Sequence, residues 1–186
     1  MPKQAREVVL GVTGSVAIYK ACDIARGLRR LGYTVTPVMT REAREFISPL
    51  LLQTISANRV LSDMFETPTE WDPLHISVAD RASAVLIAPA TAQIIGKIAA
   101  GICDDLLSCI VVSTKAPVLF APAMNGRMYR HPAVQNNISS LQRMGYRFVG
   151  PVKGELACGD VDIGHLAPVE DIVSETAKLI KANARR

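Results

Sequence analysis

No apolar stretch in this chain reaches the roughly 18 residues that a membrane-spanning helix needs, so a membrane protein is not expected. Metal-ligand spacing is also missing. The four cysteines, Cys22, Cys103, Cys109 and Cys158, form no C-x-x-C pair, and no signal-peptide pattern precedes them. Together these absences point to a reduced, cytoplasmic protein without a metal site. Concentrated positive charge is lacking too. The formal net charge is +4 and the sequence pI is about 9.0, but Lys and Arg are scattered and the densest cluster is the terminal Ala184-Arg185-Arg186. A nucleic-acid partner is therefore not expected, whereas an anionic small ligand or a solvated basic face is. No linker or internal repeat interrupts the sequence, so residues 1–186 are read as one domain. What is present is ordinary for a globular chain: 49% hydrophobic residues, 20% charged and one Trp, enough for one core.

Residues Val8 to Val12 form a short apolar run, followed by Thr13-Gly14-Ser15 and a segment in which Lys20, Asp23, Arg26 and Arg30 recur every three or four residues. That pattern predicts strand, tight turn and amphipathic helix. The helix stops near Gly32. Tyr33 to Met39 reads as a second strand, and Pro37 inside it predicts an edge or bulged position. A helical stretch from Ala43 to Ile55 is expected to break at Pro49, and Glu66 to Pro73 reads as a long loop of the kind that often carries function. Ala84 to Ala88, closed by Pro89, and Pro117 to Ala121, closed by Pro122, are further strands, with Tyr146 to Val149 a fifth. Helices are expected at Ile76 to Arg81, Ala92 to Ala100, Asp104 to Val112, Pro132 to Met144 and Val169 to Ala182. Short apolar strands alternating with helices predict the α/β class: a doubly wound parallel sheet, Rossmann-like or flavodoxin-like, with helices on both faces. Such sheets bind ligands beyond the carboxyl ends of their strands. Here those ends carry Gly11 to Ser15, Thr40, Pro89 to Thr91 and Pro122 to Asn125, so four strand exits converge on one expected site.

Gly11-Val12-Thr13-Gly14-Ser15, opening a helix, offers backbone N–H groups, a hydroxyl and a positive helix end to a phosphate. The plainer alternative is a glycine turn with Ser15 as an N-cap. Neither G-x-G-x-x-G nor G-x-x-x-x-G-K-[ST] is present, and a mononucleotide fits better than a dinucleotide. Asn125 arrives at the end of a buried strand between Pro122 and Met128, where an amide is better explained as a recognition group than as packing. His75 leaves the long loop and is a candidate acid, base or carboxylate partner, although lone histidines more often cap or pack. His131, before Pro132, and His165, in a glycine-containing loop, are less promising. Cys158 lies between Lys153-Gly154-Glu155-Leu156-Ala157 and Gly159-Asp160-Val161-Asp162, a polar and flexible context, and is the one thiol expected to be reachable. Asp160 and Asp162, if near, raise its pKa, which suits a proton donor better than a thiolate nucleophile. The other three cysteines read as buried small residues.

Five elements in register resemble the homo-oligomeric flavin-containing cysteine decarboxylases, and the likeness covers nearly the whole chain. They are Gly11-Val12-Thr13-Gly14-Ser15-Val16-Ala17 with Tyr19-Lys20; Met39-Thr40-x-x-Ala43-x-x-Phe46; His75-Ile76 with Ala79; Ala88-Pro89-Ala90-Thr91-Ala92; and Pro122-Ala123-Met124-Asn125-x-x-Met128. A sixth, Ala157-Cys158-Gly159-Asp160, resembles the substrate-covering flap of the family's pantothenate branch.

The resemblance implies FMN as cofactor, its phosphate near Gly14, Ser15 and Val16, and its ring and ribityl chain lined by Thr40, Phe46, Pro89, Ala90, Thr91, Ala92, Ser108, Ala123 and Met124. It implies decarboxylation of 4′-phosphopantothenoylcysteine to 4′-phosphopantetheine in coenzyme A biosynthesis. His75 would position the substrate, Asn125 hydrogen-bond its carboxylate and Cys158 return a proton, with Asn125, Met128, Leu156 and Ala157 contacting substrate. Also implied are a trimer with active sites between subunits, or a dodecamer built from trimers, and a separate phosphopantothenoylcysteine synthetase as partner. No metal is required. The sequence departs from the family at the flap, where Asp162-Ile163-Gly164-His165 stands for the usual Gly-x-Gly-Arg, and at Tyr129, where many members have Trp. A peptidyl-cysteine decarboxylase acting on a peptide's C-terminal cysteine and a non-catalytic regulatory flavoprotein are the alternatives.

Overall fold

Val8, Val9, Leu10 and Val12 are all fully buried, as strand residues are when a sheet is covered on both faces. The computed structural model describes residues 6–65, 73–155, 159 and 161–184. Along the chain run β1 (Glu7–Val12), a 3₁₀ turn (Val16–Tyr19), α1 (Lys20–Arg30), β2 (Thr34–Met39), α2 (Arg41–Arg44), α3 (Pro49–Ser56), α4 (Leu74–Arg81) and β3 (Ala82–Ala90). They continue with α5 (Ala92–Ala99), α6 (Leu106–Ser113), β4 (Val118–Pro122), α7 (Gly126–Arg130), α8 (Pro132–Arg143), β5 (Arg147–Phe148), β6 (Val152–Glu155), β7 (Val161–His165) and α9 (Val169–Asn183). Five strands form a parallel sheet in the order β2-β1-β3-β4-β5, the doubly wound α/β arrangement expected from the sequence.

Alternation along each strand divides the core in two. Val8, Leu10 and Val12, with Leu86 and Leu119, pack against Ile24, Leu28 and Ile172 of α1 and α9. Val9, Val85, Ile87 and Phe120 face the opposite way, against Ile95, Leu107, Ile110 and Leu141 of α5, α6 and α8. Phe120 is completely buried, stacked on Phe148 with ring centroids 5.1 Å apart and edge-on to Tyr146 at 5.8 Å. It ties β4 to β5, a strand of only two residues.

Pro37 lies on β2, an outer strand of the sheet, as its missing N–H requires. There Leu61 donates to the carbonyl of Pro37 at 2.9 Å and its own carbonyl accepts from Met39 at 2.9 Å. The break at Pro49 is also present: α2 ends before it, and Pro49 opens α3 behind the Ser48 cap. Three details differ from the sequence reading. β3 is not closed at Pro89 but continues to Ala90, because its pairing with β4 shifts register between Ile87 and Ala90 and such an irregularity accommodates a proline. Ser15 caps the 3₁₀ turn rather than α1. Beyond β5, where flexible polar chain is expected, β6 and β7 form a separate antiparallel ribbon. Of the loop expected at Glu66 to Pro73, all but Pro73 lies outside the described residues.

The ribbon is docked onto the exit of β4. Met124 donates its N–H to the carbonyl of Gly164 at 3.0 Å. Gly164 has φ +129°, and a Cβ there would run into the carbonyl oxygen of Met124, so only glycine lets the two backbones approach. Gly126 is equally constrained, because a Cβ would meet the Asp162 carboxylate. That carboxylate takes two hydrogen bonds from Arg130 of α7, at 2.7 and 2.5 Å, a bidentate geometry that favours its charged form. Arg130, with help from the Ile163 N–H, lowers the Asp162 pKa to about 2.

Two outcomes follow from this packing. Phe120→Ala removes a fully enclosed ring and should destabilise the protein by about 3–5 kcal/mol, read from the midpoint of guanidinium unfolding. Because the Asp162 pKa is depressed in the folded state, the pair's contribution is complete above the unfolded carboxylate value of about 3.9 and is lost as pH falls towards the folded value. Amide exchange in β6 and β7 should therefore speed up selectively on acidification from about pH 4 towards 2, and Arg130→Gln should move the carboxylate titration, followed by NMR, back up.

Candidate functional site

Thr13 organises the carboxyl edge of the sheet. Its hydroxyl, in a residue 2% exposed, donates to the carbonyl of Pro89 at 2.7 Å and accepts from the Thr91 N–H at 3.2 Å. One side chain thus joins the exits of β1 and β3. The stitching continues outward on both sides: Thr40 donates its N–H to the carbonyl of Val12 at 3.1 Å, and Ala123 donates to that of Ala90 at 3.0 Å. Ser15 bridges to the fourth exit, its hydroxyl donating to the Ala123 carbonyl at 3.4 Å and accepting from the Ala17 N–H at 3.4 Å.

Beside these exits lies a pocket of about 690 Å³, within the roughly 300–1,000 Å³ usual for small-molecule and cofactor sites. One wall is Ser15, Val16, Ala17 and Tyr19; another is Ala123, Met124 and Asn125; the ribbon supplies Glu155, Gly164 and His165, with Gly159 and Leu166 adjoining. Asn125 is the N-cap of α7, its side chain accepting from the Arg127 N–H at 2.8 Å. The cap fixes the amide at the mouth of β4, and a backbone contact to the ribbon holds the preceding residue. The α7 first turn thereby becomes part of the pocket wall.

Of the residues expected to hold a cofactor, Ser15, Val16, Ala123 and Met124 line this pocket together with Asn125. Gly14 precedes them, so close to α2 that a Cβ would strike Glu42. Thr40 and Thr91 are side-chain N-caps of α2 and α5, at the exits of β2 and β3, and Ala92 follows Thr91 as the first residue of α5. Pro89 and Ala90 are buried in the end of β3. Phe46 is exposed. Ser108 is fully buried and its hydroxyl is taken up in a capping box with Asp105. Asp105 is in turn held ionised: burial pushes its pKa up, but hydrogen bonds from Lys97 and Ser108 outweigh this and lower it. Met128 is exposed on α7.

His75 is the second residue of α4 and half-buried; it is not among the groups lining the pocket of the single chain. Cys158, Leu156 and Ala157 lie outside the described residues. Cys22 and Cys109 are buried, as expected, and burial raises the pKa of both thiols, whereas Cys103 is exposed. Among the described residues no cluster of His, Cys, Asp and Glu could hold a metal, and no helix is long and apolar enough to cross a membrane.

His165 was undervalued by the sequence. It ends β7 inside the pocket, with Nδ1 3.0 Å from the Glu155 carbonyl and Nε2 2.9 Å from the Lys20 ammonium. A signal was available: two short runs, Val152 to Glu155 and Val161 to His165, stand on either side of a short glycine-containing stretch of sequence, which is the pattern of a hairpin.

The residues at the strand exits suit a flavin: a pocket of the usual size, the polar Ser15 turn at one end, and an apolar wall of Val16, Ala123 and Met124.

Comparison with known proteins agrees with this architecture. The chain is 45% identical over 173 residues to the coenzyme A biosynthesis bifunctional protein CoaBC of Bacillus subtilis (strain 168), covering 93% of this chain and 43% of that protein. The chain thus spans less than half the length of such bifunctional relatives. It is 38% identical over 172 residues to a probable phosphopantothenoylcysteine decarboxylase of Streptococcus mutans, covering 91% of this chain and 96% of that one. Among solved structures, a PPC decarboxylase mutant complexed with pantothenoylaminoethenethiol superposes with a TM-score of 0.85 at 29% identity, covering 96% of this chain and 100% of that one. The FMN-dependent cysteine decarboxylase SpaF gives 0.83 at 29% identity, with 97% and 98% covered. The family described as Flavoprotein matches residues 1–181, and with strand exits, pocket and relatives in agreement, this chain belongs to the Flavoprotein family.

Proposed function

We propose that this chain is an FMN-dependent decarboxylase that converts 4′-phosphopantothenoylcysteine to 4′-phosphopantetheine in coenzyme A biosynthesis. The observation that carries the reading is the facing pair of pocket walls, Ser15 to Ala17 against Ala123 to Asn125, with a capped, oriented amide where a substrate carboxylate would enter. The names of the relatives, a probable phosphopantothenoylcysteine decarboxylase and the bifunctional coenzyme A proteins, support the same substrate.

Loss of CO₂ from a cysteine carboxylate leaves an unstabilised carbanion, so an electron sink must lower the barrier. When bound, the flavin supplies it by oxidising the carbon that bears the thiol. In this reading Gly14, Ser15 and Val16 hold the cofactor phosphate, while Thr40, Phe46, Pro89, Ala90, Thr91, Ala92, Ser108, Ala123 and Met124 surround its remainder. Asn125, its Oδ1 held by the Arg127 N–H, hydrogen-bonds the substrate carboxylate in this reading. Met128 and the flap residues Leu156 and Ala157 enclose the substrate, and Cys158 donates a proton to the product enethiol.

His75 completes the site from a neighbouring subunit. Large apolar side chains stand exposed, Phe46, Leu50, Leu51, Phe65 and Ile76 among them, and burying such residues favours association. A trimer, alone or assembled into a dodecamer, fits this need, and the synthetase that makes the substrate would be either a separate partner or a further domain. A cytoplasmic location fits this reading.

Purified yellow protein incubated with 4′-phosphopantothenoylcysteine should yield a product lighter by CO₂ in the mass spectrum. Conversion only of peptides ending in cysteine would assign the chain to the peptidyl-cysteine decarboxylases instead, and turnover of neither would defeat both readings. Asn125→Asp separates chemistry from folding, because Asp and Asn are nearly equal N-caps. The variant should keep its fold and visible flavin band yet lose on the order of 100-fold or more in kcat/KM, since a carboxylate then faces the substrate's own.

A further inference from the structure

The helix that presents Asn125 has almost no core of its own. Of the residues of α7, Gly126–Arg130, only Gly126 is buried; Arg127, Met128 and Arg130 are exposed, and Tyr129 is half-buried against the apolar cluster that holds Phe120. A helix this short does not hold its shape alone, and one anchored ring makes a pivot rather than a seat. Its carboxyl end is steadied by Gln135 of α8, whose Nε2 donates to the Tyr129 carbonyl at 2.5 Å. The amino end, where Asn125 caps the helix and lines the pocket, needs a second hold.

Asp162 of β7 supplies it. Its Oδ1 accepts from the adjacent Ile163 N–H at 2.8 Å, which orients the carboxylate within its own strand. Both oxygens then take the Arg130 guanidinium, at 2.7 and 2.5 Å, in the planar two-point geometry that fixes direction as well as distance. Gly126 and Arg130 are four residues apart and share a helix face, and the same carboxylate fills the space that a Gly126 Cβ would need. One side chain of the ribbon therefore spans the first and last residues of α7. With Met124 donating to Gly164 just upstream, this contact sets the roll of the helix, and the roll sets where the Asn125 amide lies. Exposed ion pairs add little to global stability. The effect of this one falls on orientation.

We propose that the Arg130–Asp162 pair is a positioning clamp for Asn125, holding the wall that carries this amide in register with the ribbon wall so that it meets the substrate carboxylate. The proposal rests on the reading that Asn125 binds that carboxylate, whereas the clamp itself rests on the contacts between α7 and β7. Neither Arg130 nor Asp162 lines the pocket. They are positioning residues that act through Asn125.

Two inert ligands test this by calorimetry on the flavin-loaded protein: 4′-phosphopantothenoylserine, which keeps the carboxylate, and 4′-phosphopantothenoylethanolamine, which lacks it. A hydroxyl replaces the thiol in both, so neither is oxidised. Wild type should prefer the serine compound by about tenfold or more in Kd. Arg130→Gln and Asp162→Asn should each cut that preference to about a third or less, Arg130→Lys less severely, and the double variant no further than either single one. In Asn125→Ala the preference should already be small, and adding Arg130→Gln should not change it. The clamp variants should keep the flavin band and nearly the wild-type midpoint of guanidinium unfolding. An unchanged preference in Arg130→Gln or Asp162→Asn, equal weakening of the two ligands, or a clamp effect that persists without Asn125 would overturn the proposal. Loss of the flavin band in the clamp variants would overturn it too, because the pair would then hold the whole pocket rather than orient one amide. If wild type binds neither ligand or both equally, or if Asn125→Ala keeps the full preference, the carboxylate reading of Asn125 fails and the clamp's role with it. Failure of the decarboxylase reading shows separately, as absence of CO₂ release from the cysteine substrate by wild-type protein.

Discussion

A parallel sheet brings all its strands out along one edge, and the chain must then turn there without leaving backbone groups unsatisfied. The hydroxyl of Thr13 meets that demand at the centre of the sheet, giving one hydrogen bond to β3 and taking another from the residue after it. Everything at the site is placed relative to this join. The 3₁₀ turn that follows β1 starts three residues later, α5 starts from Thr91, and the exit of β4 is tied in turn to the end of β3 through Ala123 and Ala90. The pocket is shaped by these short links between strand ends, so its walls inherit the rigidity of the core.

The ribbon extends this logic to a part of the chain that has little core of its own. Val161 is exposed and β6 alternates between half-buried and exposed residues. Its position depends instead on backbone proximity at Gly164 and Gly126 and on the Arg130–Asp162 pair. Apolar burial therefore sets the sheet, while hydrogen bonds, close backbone contact and one ion pair set the third wall of the pocket.

That division also explains what could be read from sequence. Strands covered on both faces must be continuously apolar, so Val8 to Val12, Ala84 to Ala88 and Pro117 to Ala121 announced themselves, and Pro37 and Pro49 marked an outer strand and a helix start through the donor that proline lacks. The convergence of four strand exits followed from topology. The ribbon showed only as two short runs around a glycine, a faint signal, because strands of four and five residues carry no core periodicity. His165 was hidden for the same reason, since a histidine becomes a pocket residue only once the pairing of β6 with β7 is known. Ser108 illustrates the converse: its residue type suits a cofactor wall, but only the fold reveals that its hydroxyl is engaged with Asp105. His75 and Cys158 stood out as candidates from their loop context, and only the resemblance gave each a specific role.

The two ends of the sheet have a consequence for how copies of the chain can meet. On one side Pro37 withholds a donor and Leu61 already occupies neighbouring backbone groups of β2; on the other, β5 offers two residues. Neither rim provides a ladder long enough to template another strand. Growth by edge-to-edge addition, the route to open fibres, is closed, and any self-association must proceed through side chains presented by helices and loops. Contacts of that kind end in an assembly of fixed size when the rotation relating the copies closes on itself.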